Sequence, residues 1–299
     1  MDLTLEVFVT VVEKGNFTRA AEELKMTQPA VSQYIQALER TMGAKLLERT
    51  NKYVRLNQAG EIVFHHAKDI LGKYTRMHTL VDDLLHRASG DLSISASYTF
   101  GEYVLPHLLA HLRDEYPLIK PRISIGNTTE VAEMIVNHQA DIGIVEGEYQ
   151  HDKLYIEAFA EDDLFIIVPN EDRYAGKNEI SLSELSEETW IVRESGSGTR
   201  NVTEQLFTRN NFQPKHKVEF GSTQLIKESV EAGLGVTLLS HWAVRKEISL
   251  GTLLMLKPGS EQVRRHFSLM TQATPYHTRA AEIFVEILRL NKAFPTSYV

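Results

Sequence analysis

The chain of 299 residues contains no cysteine. That single absence excludes disulfides, thiolate nucleophiles, cysteine-held zinc and iron–sulfur clusters. Long apolar runs are missing too: the most extended uncharged stretch, Ala232 to Val244, is well short of the roughly 20 residues needed to cross a bilayer. Met1-Asp2-Leu3-Thr4-Leu5-Glu6 lacks the basic start of a signal peptide, so a cytoplasmic location with no membrane partner is expected. Positive charge is also short. The net charge of −8 taken alone argues against nucleic acid, but the balance varies along the chain. Residues 1–88 hold 12 Lys/Arg and 11 Asp/Glu, leaving 20 and 29 for the remainder; within 14–55 the ratio is 8 to 4. A modestly basic head on an acidic body suits a DNA-binding module joined to something else. With 42% hydrophobic and 24% charged residues, the length accommodates two or three globular cores.

What is present starts with helices. Leu5, Phe8, Val9 and Val12 form an apolar stripe that stops at Gly15. Thr18 opens a second helix, Arg19 to Leu24, and Thr27 caps a third, from Gln28 to about Arg40, with Pro29 near its start. Ala30, Val31, Ile35 and Leu38 are its expected buried side. This is a helix-turn-helix pattern behind a packing helix. Two short strand-like runs then flank a polar tip between Leu46 and Leu56, the pattern of a wing. Asn57 caps a long helix in which Val63, Ala67, Ile70, Tyr74, Met77, Val81 and Leu84 alternate at steps of four and three, a seam for a second helix. From 58 to 86 it would span roughly 43 Å, and it is expected to pair two subunits.

Arg87-Ala88-Ser89-Gly90-Asp91 is a small-residue boundary, after which strands alternate with helices through two successive α/β units. Two subdomains with a cleft between them follow from that grammar. The first three strands end near Ser97, Asn127–Thr128 and Glu146–Gly147, the carboxyl ends where α/β clefts hold ligands. In the second unit, Glu194-Ser195-Gly196-Ser197-Gly198-Thr199-Arg200 offers hydroxyls, backbone N–H groups and a helix start to an anion, with Arg200 as a two-pronged partner. It is not a phosphate-binding P-loop, because Arg200 and Asn201 stand where lysine and a hydroxyl would be needed. It is not a nucleophile elbow either, since the Gly-x-Ser-x-Gly spacing is absent. A plain cap on the helix Thr199 to Arg209 uses the same residue types, so both readings stay open. His107 and His111 lie one helical turn apart but lack an intervening glutamate and a third ligand. They read as surface residues, and no metal or cofactor is expected.

Phe17-Thr18-Arg19-Ala20-Ala21-Glu22-Glu23-Leu24, Thr27-Gln28-Pro29-Ala30-Val31-Ser32, Leu38-Glu39, Leu46-Leu47-Glu48-Arg49, Leu56 and Ala59-Gly60 together resemble the LysR-type transcriptional regulators. Leu47, Lys52 and Asn57 replace residues usual in that family while keeping an apolar plug, a phosphate-reaching cation and a helix cap. The resemblance implies an all-α head with an α/β body: a winged helix-turn-helix at 1–57, a linker helix at 58–86 and a hinge at 87–91. A two-subdomain, Rossmann-like effector domain of periplasmic-binding-protein type would follow, with subdomain I at 91–161 and 267–299 and subdomain II at 162–266. It implies a regulator and not an enzyme.

The third helix would enter the major groove with Gln28, Pro29, Ser32 and Gln33 leading; Thr18 and Arg19 would touch backbone, and Arg49, Lys52 and Arg55 on the wing would hold phosphates. Ser97, Thr99, Phe100, Asn127, Thr128 and Glu146 would face Ser195, Gly196, Ser197, Gly198, Thr199, Arg200 and Ser222 across a cleft holding a small, anionic effector. Expected partners are double-stranded promoter DNA, further copies of the chain as dimer or tetramer, and RNA polymerase. An enzyme with a DNA-targeting head, the rival reading, would need a nucleophile or general-base constellation in the cleft, and none is evident. A second rival would use the head only for oligomerisation.

Overall fold

Local capping chemistry decides where each helix of the N-terminal unit starts and stops. The computed structural model describes residues 3–49, 54–85, 89–147, 149–259, 262–274 and 277–290. Helix α1 (Leu3–Lys14) ends at Gly15, whose φ of 60° is the left-handed conformation glycine adopts without strain. Helix α2 (Phe17–Glu23) begins one residue ahead of the expected Thr18. Its cap is Asn16, which accepts the N–H groups of Thr18 and Arg19 at 2.8 and 3.1 Å. Helix α3 (Gln28–Met42) starts at the expected cap, Thr27, carries Pro29 in its first turn and runs two residues beyond Arg40 before Gly43 closes it. Val7, Phe8, Val11, Ala20, Val31, Ile35 and Leu46 meet in a core that water does not reach.

The wing consists of β1 (Leu47–Arg49) and β2 (Val54–Leu56), antiparallel, with Leu47 opposite Leu56. Its approach is tied down by polar groups. Glu39, buried in α3, accepts the Leu46 N–H at 3.1 Å and the Lys45 ammonium at 2.8 Å. Asn57 caps α4 (Gln58–Leu85) by accepting the Gly60 N–H at 2.8 Å, and its amide donates to the Lys45 carbonyl, also at 2.8 Å. Gly60 is required there, since a Cβ would lie 2.0 Å from the Leu46 carbonyl oxygen. The heptad seam of α4 splits in two. Val63 and Ala67 pack on the head core, whereas Ile70, Met77 and Val81 leave about half of their surface exposed; the Leu84 side chain lies outside the described residues.

The chain divides into two compact units, Met1–Leu85 with Asn137–Gln139, and the remainder. In the second, β3 (Gly90–Ser97), α5 (Tyr98–Tyr103), α6 (Leu105–Glu115), β4 (Ile119–Gly126), α7 (Thr128–Val136) and β5 (Ile142–Glu146) build one lobe. Another lobe follows from β6 (Leu154–Pro169), β7 (Glu179–Ile180), a 3-10 turn at Leu182–Leu185, β8 (Thr189–Arg193), α8 (Gly198–Arg209) and β9 (His216–Phe220). It is completed by α9 (Thr223–Glu231), β10 (Thr237–Ser240), α10 (His241–Leu250) and β11 (Leu253–Pro258). Finally, β12 (Val263–Gln272) and α11 (Arg279–Leu290) return the chain to the first lobe.

The large sheet runs β4-β3-β5-β12-β6-β11-β7, with β10 also on β6, while β8 and β9 pair separately. Strands β3, β4 and β5 are parallel; β6 and β12 are antiparallel and pass through both lobes, with a bulge at Phe267/Ser268. Phe100, Leu105, Leu108, Phe267 and Phe284 fill one face of the first lobe, and Val131, Ala132 and Ile135 of α7 cover the other. In the second lobe Trp190 is enclosed by α8 and its following loop, its ring edge-on to Phe207 with centroids 4.8 Å apart. Phe207→Ala keeps that tryptophan as reporter while opening a cavity. It is expected to cost about 3–5 kcal/mol, measured as a lowered urea midpoint in tryptophan fluorescence.

Candidate DNA-reading surface and effector cleft

On the head, Thr18, Arg19, Gln28, Pro29 and Gln33 are exposed and Ser32 is half-buried, so the expected contact residues share the outer side of α2 and α3. Gln28 donates to the Ser32 hydroxyl at 3.1 Å, which holds these two expected contact residues together one turn apart. Arg55 on β2 is exposed. The Arg49 side chain and Lys52 lie outside the described residues.

In the body, parallel pairing brings the ends of β3, β4 and β5 to one edge. Most of the hydroxyls there are already engaged. Ser97 donates to the Ile144 carbonyl and Thr128 to the Glu146 carbonyl, each at 3.3 Å. Asn127 and Glu130 cap one another, the Asn127 N–H donating to the Glu130 carboxylate at 2.8 Å and the Glu130 N–H to the Asn127 side chain at 3.0 Å. The Phe100 ring is not at the cleft: it is buried against Phe159 and Phe267, and only its N–H reaches the site, donating to Glu146 Oε1 at 3.0 Å.

The stretch Ser195–Arg200 faces this edge. Thr129 donates its N–H to the Gly196 carbonyl at 3.4 Å, and a Cβ on Gly198 would lie 2.0 Å from the Glu146 carbonyl oxygen, so the lobes touch here backbone to backbone. Gly196 itself sits at φ 87°. Ser197 is the N-cap of α8, is 3% exposed, and makes no side-chain cap hydrogen bond; Ser195 is exposed. Arg200 is directed elsewhere. Its guanidinium donates to Glu204 at 2.7 Å, to Glu219 at 3.0 Å and to the Arg193 carbonyl at 2.6 Å, stitching α8 to β8 and β9. Ser222 caps α9 by accepting the Leu225 N–H at 3.3 Å.

A cation that does lie between the lobes at this edge is Arg265, on β12, which the sequence motifs did not single out. Its Nε donates to Asp162 Oδ2 at 2.7 Å, directly across the strand register, its Nη1 to Thr199 Oγ1 at 2.8 Å and its Nη2 to Thr99 Oγ1 at 3.1 Å. Nη1 also lies 3.5 Å from Glu146 Oε2. Asp162 accepts the Ser240 hydroxyl at 2.5 Å as well. Burial pushes the Asp162 carboxyl up, against the pull of Arg265 and Ser240 toward the charged form.

A second lobe-to-lobe cluster surrounds α5. Arg193 lies over the Tyr98 ring at 4.3 Å, forks onto Glu194 and donates to Thr223 at 2.9 Å. Lys227 pairs with Glu247 at 2.7 Å and lies 5.0 Å from the Tyr103 ring centre. Burial raises Glu102 despite the neighbouring Arg193 and Lys227. His107 approaches Arg245 at 3.4 Å and His111 pairs with Glu115 at 3.7 Å, and among the described residues no cluster of metal-ligating side chains forms.

Comparison with known proteins matches both units. Residues 4–61 fit the family model described as "Bacterial regulatory helix-turn-helix protein, lysR family", and residues 86–292 fit "LysR substrate binding domain". The chain belongs to the LysR family of transcriptional regulators. It is a DNA-binding regulator with an effector-binding domain, and not an enzyme. The HTH-type transcriptional regulator CysL of Bacillus subtilis is 38% identical over 96% of both chains. Among solved structures, full-length CbnR complexed with its target DNA has a TM-score of 0.73 at 22% identity, covering 97% of this chain and 99% of that one. The CcmR regulatory domain of Synechocystis, in complex with 2-PG, has a TM-score of 0.63 at 26% identity, covering 69% of this chain and 98% of that one. No helix among the described residues is long and apolar enough to cross a membrane.

Removing the guanidinium at position 265 strands a buried carboxylate. Arg265→Met is expected to lower stability by about 3–5 kcal/mol, and adding Asp162→Asn should recover part of that loss. Urea denaturation of the two variants and their parent measures both effects.

Proposed function

We propose that this cytoplasmic regulator reads promoter DNA with α3 and responds to a small anionic metabolite held at the N terminus of α8. The observation that carries the effector site is Ser197. The residue is 3% exposed and its side chain makes no cap hydrogen bond, beside the first-turn N–H groups of Gly198, Thr199 and Arg200, which have no acceptor within the helix. Ser197, Thr99 and Thr199 supply hydroxyls from both lobes, so a ligand there alters how the lobes meet. The CcmR domain solved with 2-PG supports a small-molecule occupant in a body of this fold. No further cofactor is required.

For DNA, the exposed row Gln28, Pro29, Ser32 and Gln33 favours major-groove reading, with Thr18, Arg19, Arg49, Lys52 and Arg55 on phosphates; the CbnR complex with its target DNA supports that mode. The half-exposed Ile70, Met77 and Val81 favour pairing of α4 with a second copy, and hence an operator of dyad symmetry. Further association of dimers into a tetramer would bring four heads to the promoter, where contact with RNA polymerase would transmit the signal.

Gln28→Ala and Ser32→Ala are each expected to cost about 1–3 kcal/mol of affinity for the gene's own upstream DNA, read by mobility-shift titration at fixed salt. Met77→Asp should shift the sedimenting species toward monomer while leaving the helical signal of the fold intact. For the cleft, sulfate should raise the melting temperature of the wild type and of Arg200→Ala alike, because Arg200 is committed to Glu204 and Glu219. Ser197→Ala should weaken that stabilisation. A sulfate response lost in Arg200→Ala and kept in Ser197→Ala would reverse this assignment.

A further inference from the structure

The charges around the cleft identify the class of effector, given the α8 N terminus as the seat of an anion, a reading on which this inference rests. Three ion pairs are complete: Asp162 with Arg265, Glu194 with Arg193 and Glu247 with Lys227, each at 2.7 Å. Two further carboxylates lie here. One is Glu102, exposed on α5 and within the field of Arg193 and Lys227. The other is Glu146, 2% exposed, at the end of β5 beside the start of α8.

Glu146 shares its arginine with Asp162. Its Oε1 accepts the Phe100 N–H at 3.0 Å, and its Oε2 is 3.5 Å from Arg265 Nη1, longer than a hydrogen bond. That arginine is held to Asp162, Thr199 and Thr99 by hydrogen bonds and faces Glu146 at longer range. Arg265 thus serves two buried carboxylates with one positive charge, which leaves a net negative charge at Glu146 beside Ser197 and the α8 N–H groups, the seat proposed for the anion. Burial is the main cause that raises Asp162 and Glu102, and Glu146 adds a smaller repulsion to each. A ligand that is anionic throughout meets repulsion from Glu146; one that brings its own cation meets a ready partner.

We infer that the effector is an amphoteric small acid of the amino-acid class: its oxyanion caps α8, its protonated amine pairs with Glu146, and Arg265 stays in place between Thr99 and Thr199. The carboxylate and the ammonium thus divide the cleft between an electropositive helix end on one lobe and an electronegative strand end on the other.

The test uses isosteric pairs that differ only in amine against hydroxyl: glycine and glycolate, L-alanine and L-lactate, L-serine and L-glycerate, with sulfate as a plain anion. Binding to the full-length protein is followed by calorimetry and thermal shift. At least one amine member should bind tenfold or more tightly than its hydroxyl partner. Glu146→Gln, which keeps the acceptor for the Phe100 N–H, should reduce that ratio below twofold. Hydroxy acids binding as well as amino acids, or a ratio unchanged in Glu146→Gln, would overturn the inference. Sulfate binding that depends on Ser197 without any amine preference would leave the anion seat standing and overturn the amphoteric class alone. Failure of every probe, sulfate included, would overturn both. Should Glu146→Gln melt without folding, the wild-type ratio across the three pairs decides.

Discussion

The body of this regulator depends on one buried ion pair between two long strands. β6 and β12 are the segments that carry the chain between the lobes, and Arg265 and Asp162 face one another across their register. A buried pair of this kind is costly to desolvate, and its retention in a core is poor evidence for stability alone. Here the arginine also spends its remaining donors on one hydroxyl from each lobe, Thr99 and Thr199. The pair therefore fixes the relation of the lobes to each other, and the geometry of every group at their junction follows from it.

The head shows how far local chemistry alone can reach. Thr27, Pro29 and Asn57 cap or open their helices through contacts with residues a few places away, so the starts of α3 and α4 were legible from spacing and side-chain type, whereas α3 runs past the expected Arg40 to Met42. Glu39 was legible only as part of a pattern. Its reason is long-range in space: it anchors the backbone entering the wing, with Asn57 and Gly60 holding the same turn from the other side. The start of α2 moved to Phe17 because Asn16, and not Thr18, offers the capping oxygen.

The cleft was half legible. Strand ends and hydroxyls could be found from α/β grammar: Thr128 and Glu146 lie against Gly198, and Thr99 and Thr199 meet through Arg265. The charges could not. Asp162 and Arg265 are separated by 103 positions, and the first half of β6, with Glu157, Glu161 and Asp162, reads as a polar segment because alternate residues face solvent. Arg200, adjacent to the glycines, looked like the anion's partner; helical geometry instead directs it one turn along to Glu204 and outward to Glu219. Ring packing likewise turns Phe100 inward, leaving only its N–H at the site.

The bare backbone contact at Gly198 has a genetic consequence. Every single-base change that alters a glycine codon to another amino acid introduces at least a Cβ, and at this position that atom falls 2.0 Å from the Glu146 carbonyl oxygen. A side chain there acts as a wedge, prising apart the lobe edges at which the proposed effector site lies. Selection for regulators deaf to their signal, fixed in one transcriptional output, should return to this codon, while the wing and recognition helix remain untouched and the protein still occupies its promoter.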